Sequence, residues 1–120
     1  MGERRISDST RIGQLLASEI TGLSVGVLAE CSITGADADA TPSEGGTRAY
    51  RIAYEEELVA AVWLYPGHAR LRLAGERGWP ETAGGRMVSR EGADSLRIEA
   101  GAGVKQAVDA LRTVLAADSG

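Results

Sequence analysis

The sequence predicts an α+β two-layer sandwich, and three observations carry that prediction. Apolar residues recur at helical spacing only near the two ends, apolar and polar residues alternate through the middle, and no helical segment separates the strands. Strands joined by short turns pair antiparallel, and two amphipathic end helices bury their stripes against one face of the sheet. The expected order is helix, four to five strands, helix (α-β-β-β-β-β-α), in a single domain over residues 1–120. A chain of this length buries roughly two-thirds of its unfolded surface in one core.

Ile12, Leu15, Leu16, Ile20 and Leu23 form the first helical stripe, with Gln14, Ser18 and Glu19 away from it, which predicts a helix over about 9–21. Ser7 or Asp8 caps its start and Gly22 is expected to close its end. Val25, Val27, Ala29, Cys31 and Ile33 then alternate with polar residues, predicting a first strand over 24–33 with Cys31 inward. Residues 34–47 carry Gly, Pro and short polar side chains without periodicity and read as a loop. Its Asp37 and Asp39 lack the further acidic positions and the closing glutamate of an EF-hand, so they read as solvated loop aspartates.

Tyr50, Ile52 and Tyr54 alternate with Arg51 and Ala53 in a second strand, which a turn at Glu55, Glu56 and Glu57 joins to the next. Pairing Tyr54 with Leu58, Ile52 with Ala60 and Tyr50 with Val62 keeps the apolar faces together and requires a three-residue turn or a bulge at the glutamates. The following hairpin is set by Tyr65-Pro66-Gly67-His68, where Pro66 fixes φ at the second turn position and Gly67 supplies positive φ at the third. Counting outward pairs Leu64 with Ala69, Trp63 with Arg70, Val62 with Leu71, Ala61 with Arg72 and Ala60 with Leu73. Leu58, Ala60, Val62, Leu64, Leu71 and Leu73 then share one face, while Trp63, Tyr65, His68, Arg70 and Arg72 share the other.

Residues 75–93 are irregular and glycine-rich, with Gly85-Arg86-Met87-Val88-Ser89 as a candidate short strand. Trp79 is expected to anchor this loop on the body of the protein, and the arginine face is one place where it would lie. Leu96 and Ile98 alternate with Ser95, Arg97 and Glu99 in a last strand that adds Arg97 to the polar face. Val104, Ala107, Val108, Leu111, Val114 and Leu115 form the second helical stripe. Gly101 and Gly103 before it read as tight-turn residues, because the lysine and hydroxyl of a phosphate loop are missing.

Arg51, Trp63, Tyr65, His68, Arg70, Arg72 and Arg97 are therefore the candidate binding residues, on the sheet face opposite the helices. No catalytic or metal-binding constellation assembles. The one histidine falls at a hairpin tip, the one cysteine has no partner histidine, and the glutamates at 55–57, which would need a cleft for acid–base work, read as solvated charge at a turn. A non-enzymatic protein without cofactor or metal is expected. Formal net charge is −4, with 43% hydrophobic and 25% charged residues, which opposes a generally basic nucleic-acid binder and leaves room for a local basic patch. No run approaches the ~18 apolar residues of a membrane span, and the first residues lack the apolar core of a secretory signal, so a cytoplasmic location is expected. Two functions compete for the arginine face. One is docking to another protein or to a second copy of the chain; the other is binding an anionic ligand or single-stranded nucleic acid by guanidinium contacts and base stacking.

The stretches Arg5-Ile6-Ser7-Asp8, Ile12-Gly13-Gln14-Leu15-Leu16-Ala17-Ser18-Glu19, Ala40-Thr41-Pro42-Ser43, Ala49-Tyr50-Arg51-Ile52-Ala53-Tyr54 and Gly103-Val104-Lys105-Gln106-Ala107-Val108-Asp109 together resemble small uncharacterised proteins of haloarchaea. The resemblance covers most of the chain and implies a cytoplasmic archaeal setting, with no assigned activity and no functional residues to carry over.

Overall fold

The computed structural model describes residues 9–23, 29–37, 39–85 and 87–119. Helix α1 (Ser9–Leu23) and helix α2 (Val104–Ser119) enclose in sequence six strands: β1 (Cys31–Thr34), β2 (Thr47–Tyr54), β3 (Glu57–Tyr65), β4 (His68–Leu73), β5 (Val88–Glu91) and β6 (Ser95–Ile98). All pairings are antiparallel and the spatial order is β1-β2-β3-β4-β6-β5. The architecture is the expected α+β sandwich with one more strand than the four to five read from the sequence. The added strand is β5, and the candidate at 85–89 begins and ends later than expected.

The β3–β4 register matches the turn-based count pair for pair, from Tyr65 opposite His68 to Ala60 opposite Leu73. Gly67 has φ +84°, the value that the third position of the turn requires. The β2–β3 hairpin differs at its tip. Its turn has two residues, Glu55 and Glu56, both at positive φ (52° and 72°), and Tyr54 faces Glu57 in place of Leu58. Positive φ at both central residues gives the backbone twist that suits a two-residue hairpin. Correct parity is restored by a bulge at Val59: Ala53 pairs with Leu58, yet Ile52 pairs with Ala60. Val59 is consequently buried and Leu58, expected in the core, is 46% exposed. A second irregularity at Ala49 sets Arg48 opposite Trp63 while Tyr50 still faces Val62.

At the ends of the chain two further boundaries move. Helix α1 runs through Gly22 to Leu23, so Gly22 does not terminate it, and Gly22 is not among the residues with left-handed φ. The proposed caps Ser7 and Asp8 lie outside the described residues, as does the first half, 24–28, of the expected strand 24–33. Strand β1 starts at Cys31, which is half-buried against the core instead of fully inside it.

The core lies between the sheet and the two helices. Ile12, Leu16 and Ile20 of α1 and Ala107, Leu111 and Leu115 of α2 are fully shielded, and they meet Ile52, Val62, Leu71, Leu96 and Ile98 from the strands. Gly13 lets α1 lie close to β3, since a Cβ there would fall 3.3 Å from Leu64 Cδ2.

Because β6 sits between β4 and β5, the chain leaves β4 and must cross one face of the sheet to reach its edge. It crosses on the helix side. Trp79 and Ala83 of this crossover are buried in the core, at 4% exposure each. The Trp79 backbone N–H donates to Ala93 O (2.9 Å) and its indole Nε1 to Asp94 O (3.0 Å), while Gln106 Nε2 of α2 donates to Ala83 O and Gly84 O at 3.1 and 2.6 Å. Trp79 is thus an anchor, but not on the arginine face. Gly103 lies within a 3₁₀ turn (Gly101–Gly103) packed against β5; an added Cβ would fall 2.8 Å from Val88 Cγ2, so it serves close packing.

Candidate functional site

The sheet face away from the helices is assembled from cross-strand neighbours. One row runs Arg48, Trp63, Arg70, Arg97, Ser89 across β2, β3, β4, β6 and β5; the next runs Thr34, Arg51, Ala61, Arg72, Ser95, Glu91 from β1 to β5. All seven residues singled out in the sequence belong to this face, because the hairpin register and the β4–β6 pairing put them there. Arg48 joins them and sequence reasoning missed it: parity from inward Tyr50 would turn it to the core, and the bulge at Ala49 reverses it.

At the hairpin tip Tyr65 and His68 stack with ring centroids 4.9 Å apart and planes 4° from parallel, and the Arg70 guanidinium lies 4.7 Å over the Tyr65 ring. Tyr65 also leans on the loop before β2. Gly46, at φ +91°, has no room for a side chain there, since a Cβ would fall 2.5 Å from Tyr65 Cζ. The stack removes His68 from solvent, leaving it 8% exposed in spite of its place beside a turn. Burial first, and then the positive charges of Arg97 and Arg70, push its pKa below the ordinary 6.5, against opposing contributions from the Pro66 backbone and Glu99.

Beside the stack, Arg51, Leu58, Ala61, Trp63, Arg72 and Asp94 line a shallow groove of about 370 Å³. Arg72 Nε meets Asp94 Oδ2 at 3.4 Å and Arg97 Nε meets Glu99 Oε2 at 3.0 Å, both pairs partly exposed. Five guanidiniums therefore face the carboxylates of Glu91, Asp94 and Glu99, and this face is positive on a chain whose formal net charge is −4. Arg70 and Arg97 stand directly opposite each other on β4 and β6, a like-charge placement that weakens a sheet.

A second cavity, of about 280 Å³, opens between α1 and the ends of β1 and β2, lined by Gly13, Gln14, Ala17, Ile33, Asp37 and Tyr50. Its chemistry is quieter. The Tyr50 hydroxyl donates to Gly13 O at 2.6 Å, and burial pushes the phenol pKa upward. Asp37 Oδ1 accepts from the Asp39 backbone N–H at 3.0 Å, a local loop bond. Among the described residues, no three His, Cys, Asp or Glu side chains come together in a way that would hold a metal, and no helix is long and apolar enough to cross a membrane.

Fold and face together define a small α+β protein with one helix-covered and one cationic, aromatic sheet surface. The chain belongs to the family of unknown function DUF7993, whose model matches residues 1–120. No match was found among curated proteins or solved structures.

Proposed function

We propose that this protein is a non-enzymatic binding module that docks an anionic partner on the sheet face opposite its helices. The observation that supports this reading best is the placement of Arg48, Arg51, Arg70, Arg72 and Arg97 on one surface, with Arg70 set against Arg97. A fold under selection for stability alone gains nothing from that pair, whereas a partner bearing negative charge converts the repulsion into attraction. Trp63 in the neighbouring groove offers a flat apolar contact, which suits a partner carrying rings or acyl groups beside its charges.

The same charge pattern weakens the expectation of a homodimer through this face, because two copies meeting there would set guanidiniums against guanidiniums. The available strand edges favour self-pairing little better: β1 and β5 are each four residues long. A cytoplasmic, archaeal setting is part of this proposal.

Fluorescence anisotropy of labelled polyglutamate and of labelled oligothymidylate, titrated at low salt, tests it. Wild-type protein is expected to bind at least one of them. The double variant Arg70→Ala/Arg72→Ala is expected to bind about tenfold more weakly, with a shallower dependence on salt. Equal affinity of the double variant and wild type sinks the proposal.

A further inference from the structure

We infer that the corner of this face formed by His68, Arg70 and Arg97 is a subsite for a phosphoryl group, free or carried on a partner. The inference rests on the anionic-partner reading and gives it a chemical identity.

Among the described residues, four side-chain polar atoms are shut off from solvent without a hydrogen bond: Ser9 Oγ, His68 Nε2, Arg70 Nε and Arg97 Nε. Three of the four belong to neighbours at one corner. Arg70 and Arg97 are a cross-strand pair, and His68 lies two residues from Arg70 on the same strand. Leaving a buried polar atom unpaired is costly, more so for a charged group. Two of these atoms are guanidinium N–H donors on like-charged side chains, and the third, His68 Nε2, becomes a donor once the imidazole takes up a proton; together they describe a site prepared for something that accepts hydrogen bonds and carries negative charge. Glu99 meets this description only in part. Its Oε2 lies 3.0 Å from Arg97 Nε, but the N–H is not aimed at it, and the carboxylate is 49% exposed and free to swing aside.

A phosphoryl group offers several acceptor oxygens in a compact tetrahedron, enough to serve two guanidiniums and an imidazole together, where a carboxylate offers two oxygens in one plane. The charged groups facing the imidazole are Arg70 from its own strand and Arg97 and Glu99 from β6 and the residue after it, with Tyr65 stacked from β3. A bound anion reverses the balance that keeps the imidazole neutral, so binding should raise its pKa and draw a proton onto it.

His68 is the sole histidine of the chain, so long-range proton–nitrogen spectra of the imidazole report this corner without assignment. Wild-type protein is titrated with inorganic phosphate and, separately, with thymidine 5′-monophosphate, with sodium chloride at equal ionic strength as control. A saturable shift, an upward move of the His68 midpoint in the presence of phosphate, and about tenfold weaker binding by Arg97→Gln are the expected results. Arg97→Lys, which keeps the charge and loses the buried Nε–H, should also bind more weakly than wild type. Tighter binding of the nucleotide than of phosphate would place the carrier's ring on Trp63, and equal binding would leave free phosphate as the ligand; both support the subsite.

A shift reproduced by chloride, or unaltered phosphate binding by a folded Arg97→Gln protein, overturns it. The two proposals fail separately. Loss of polyanion affinity in Arg70→Ala/Arg72→Ala without any phosphate shift at His68 leaves the docking face standing and removes the subsite. Phosphate binding at His68 with polyanion affinity untouched does the reverse.

Discussion

The two tryptophans show how differently the two faces of this sheet are finished. Trp79 lies in the layer between sheet and helices, 4% exposed, with its indole N–H given to the Asp94 carbonyl. Trp63 lies on the other side, half-buried among arginines and lining an open groove. On Trp79's side the side chains interlock and the crossover's carbonyls are met by Gln106. On Trp63's side like charges stand opposite each other and buried N–H groups lack acceptors. One face is built to be stable, and the other keeps unused interaction capacity.

Substitutions on the two sides should therefore diverge. Trp79→Ala is expected to cost about 3–5 kcal/mol in chemical denaturation, and Trp63→Ala about 1 kcal/mol or less, with its main effect on binding. Comparable losses would mean that the open face is a second core. On strand β4 the adjacent pair repeats the contrast: Leu71→Ala should lose about 2–5 kcal/mol, while Arg72→Ala, whose ion pair with Asp94 is mostly solvated, should stay within about 0.5 kcal/mol of wild type.

Gly46→Val tests how the open face is held in shape. The left-handed φ alone costs roughly 1–2 kcal/mol, and the added side chain must displace the Tyr65 ring, so anion binding should fall together with stability. In the opposite direction, Glu55→Asn/Glu56→Gly places residues suited to positive φ in the β2–β3 turn and should raise stability by about 1 kcal/mol without touching binding.

The smallest effect is a pH dependence. Since the folded-state pKa of His68 is depressed, its neutral form is favoured on folding. That contribution is complete above the ordinary value of 6.5 and is lost as pH falls through the lower folded value. Melting curves of wild type and His68→Gln should diverge in slope on the acid side of about pH 6.5, the variant being the less pH-sensitive. Identical slopes would show that the imidazole is not held neutral by its surroundings.

What could be read from the sequence followed from local chemistry. Pro66 and Gly67 determine a turn, the turn determines a register, and the register sorts the side chains of residues 60–73 onto the correct faces. Helical stripes at both ends identified Ile12, Leu16, Ile20, Leu111 and Leu115 as core. What escaped depended on events that shift parity or on long-range choice. The bulges at Ala49 and Val59 exchange the faces of Arg48, Leu58 and Val59; the alternation asks for an irregularity near the glutamates without placing it at Val59, and it does not mark the one at Ala49. The insertion of β6 between β4 and β5, and the passage of Trp79 over the helix side, follow from competition for the β4 edge between segments far apart in the chain. That His68 Nε2, Arg70 Nε and Arg97 Nε lack hydrogen bonds depends on side-chain directions that spacing does not encode.

The chain's two indole N–H groups allow the central claim to be read in a single spectrum. In a proton–nitrogen correlation experiment, oligothymidylate or polyglutamate is added at low salt. The Trp63 indole peak is predicted to move to saturation with the amides of Arg70 and Arg97, while the Trp79 indole and the amides of Leu16 and Leu111 stay in place. Movement of Trp79 and the helix amides with Trp63 unchanged would put the partner on the wrong side of the sheet and contradict the account.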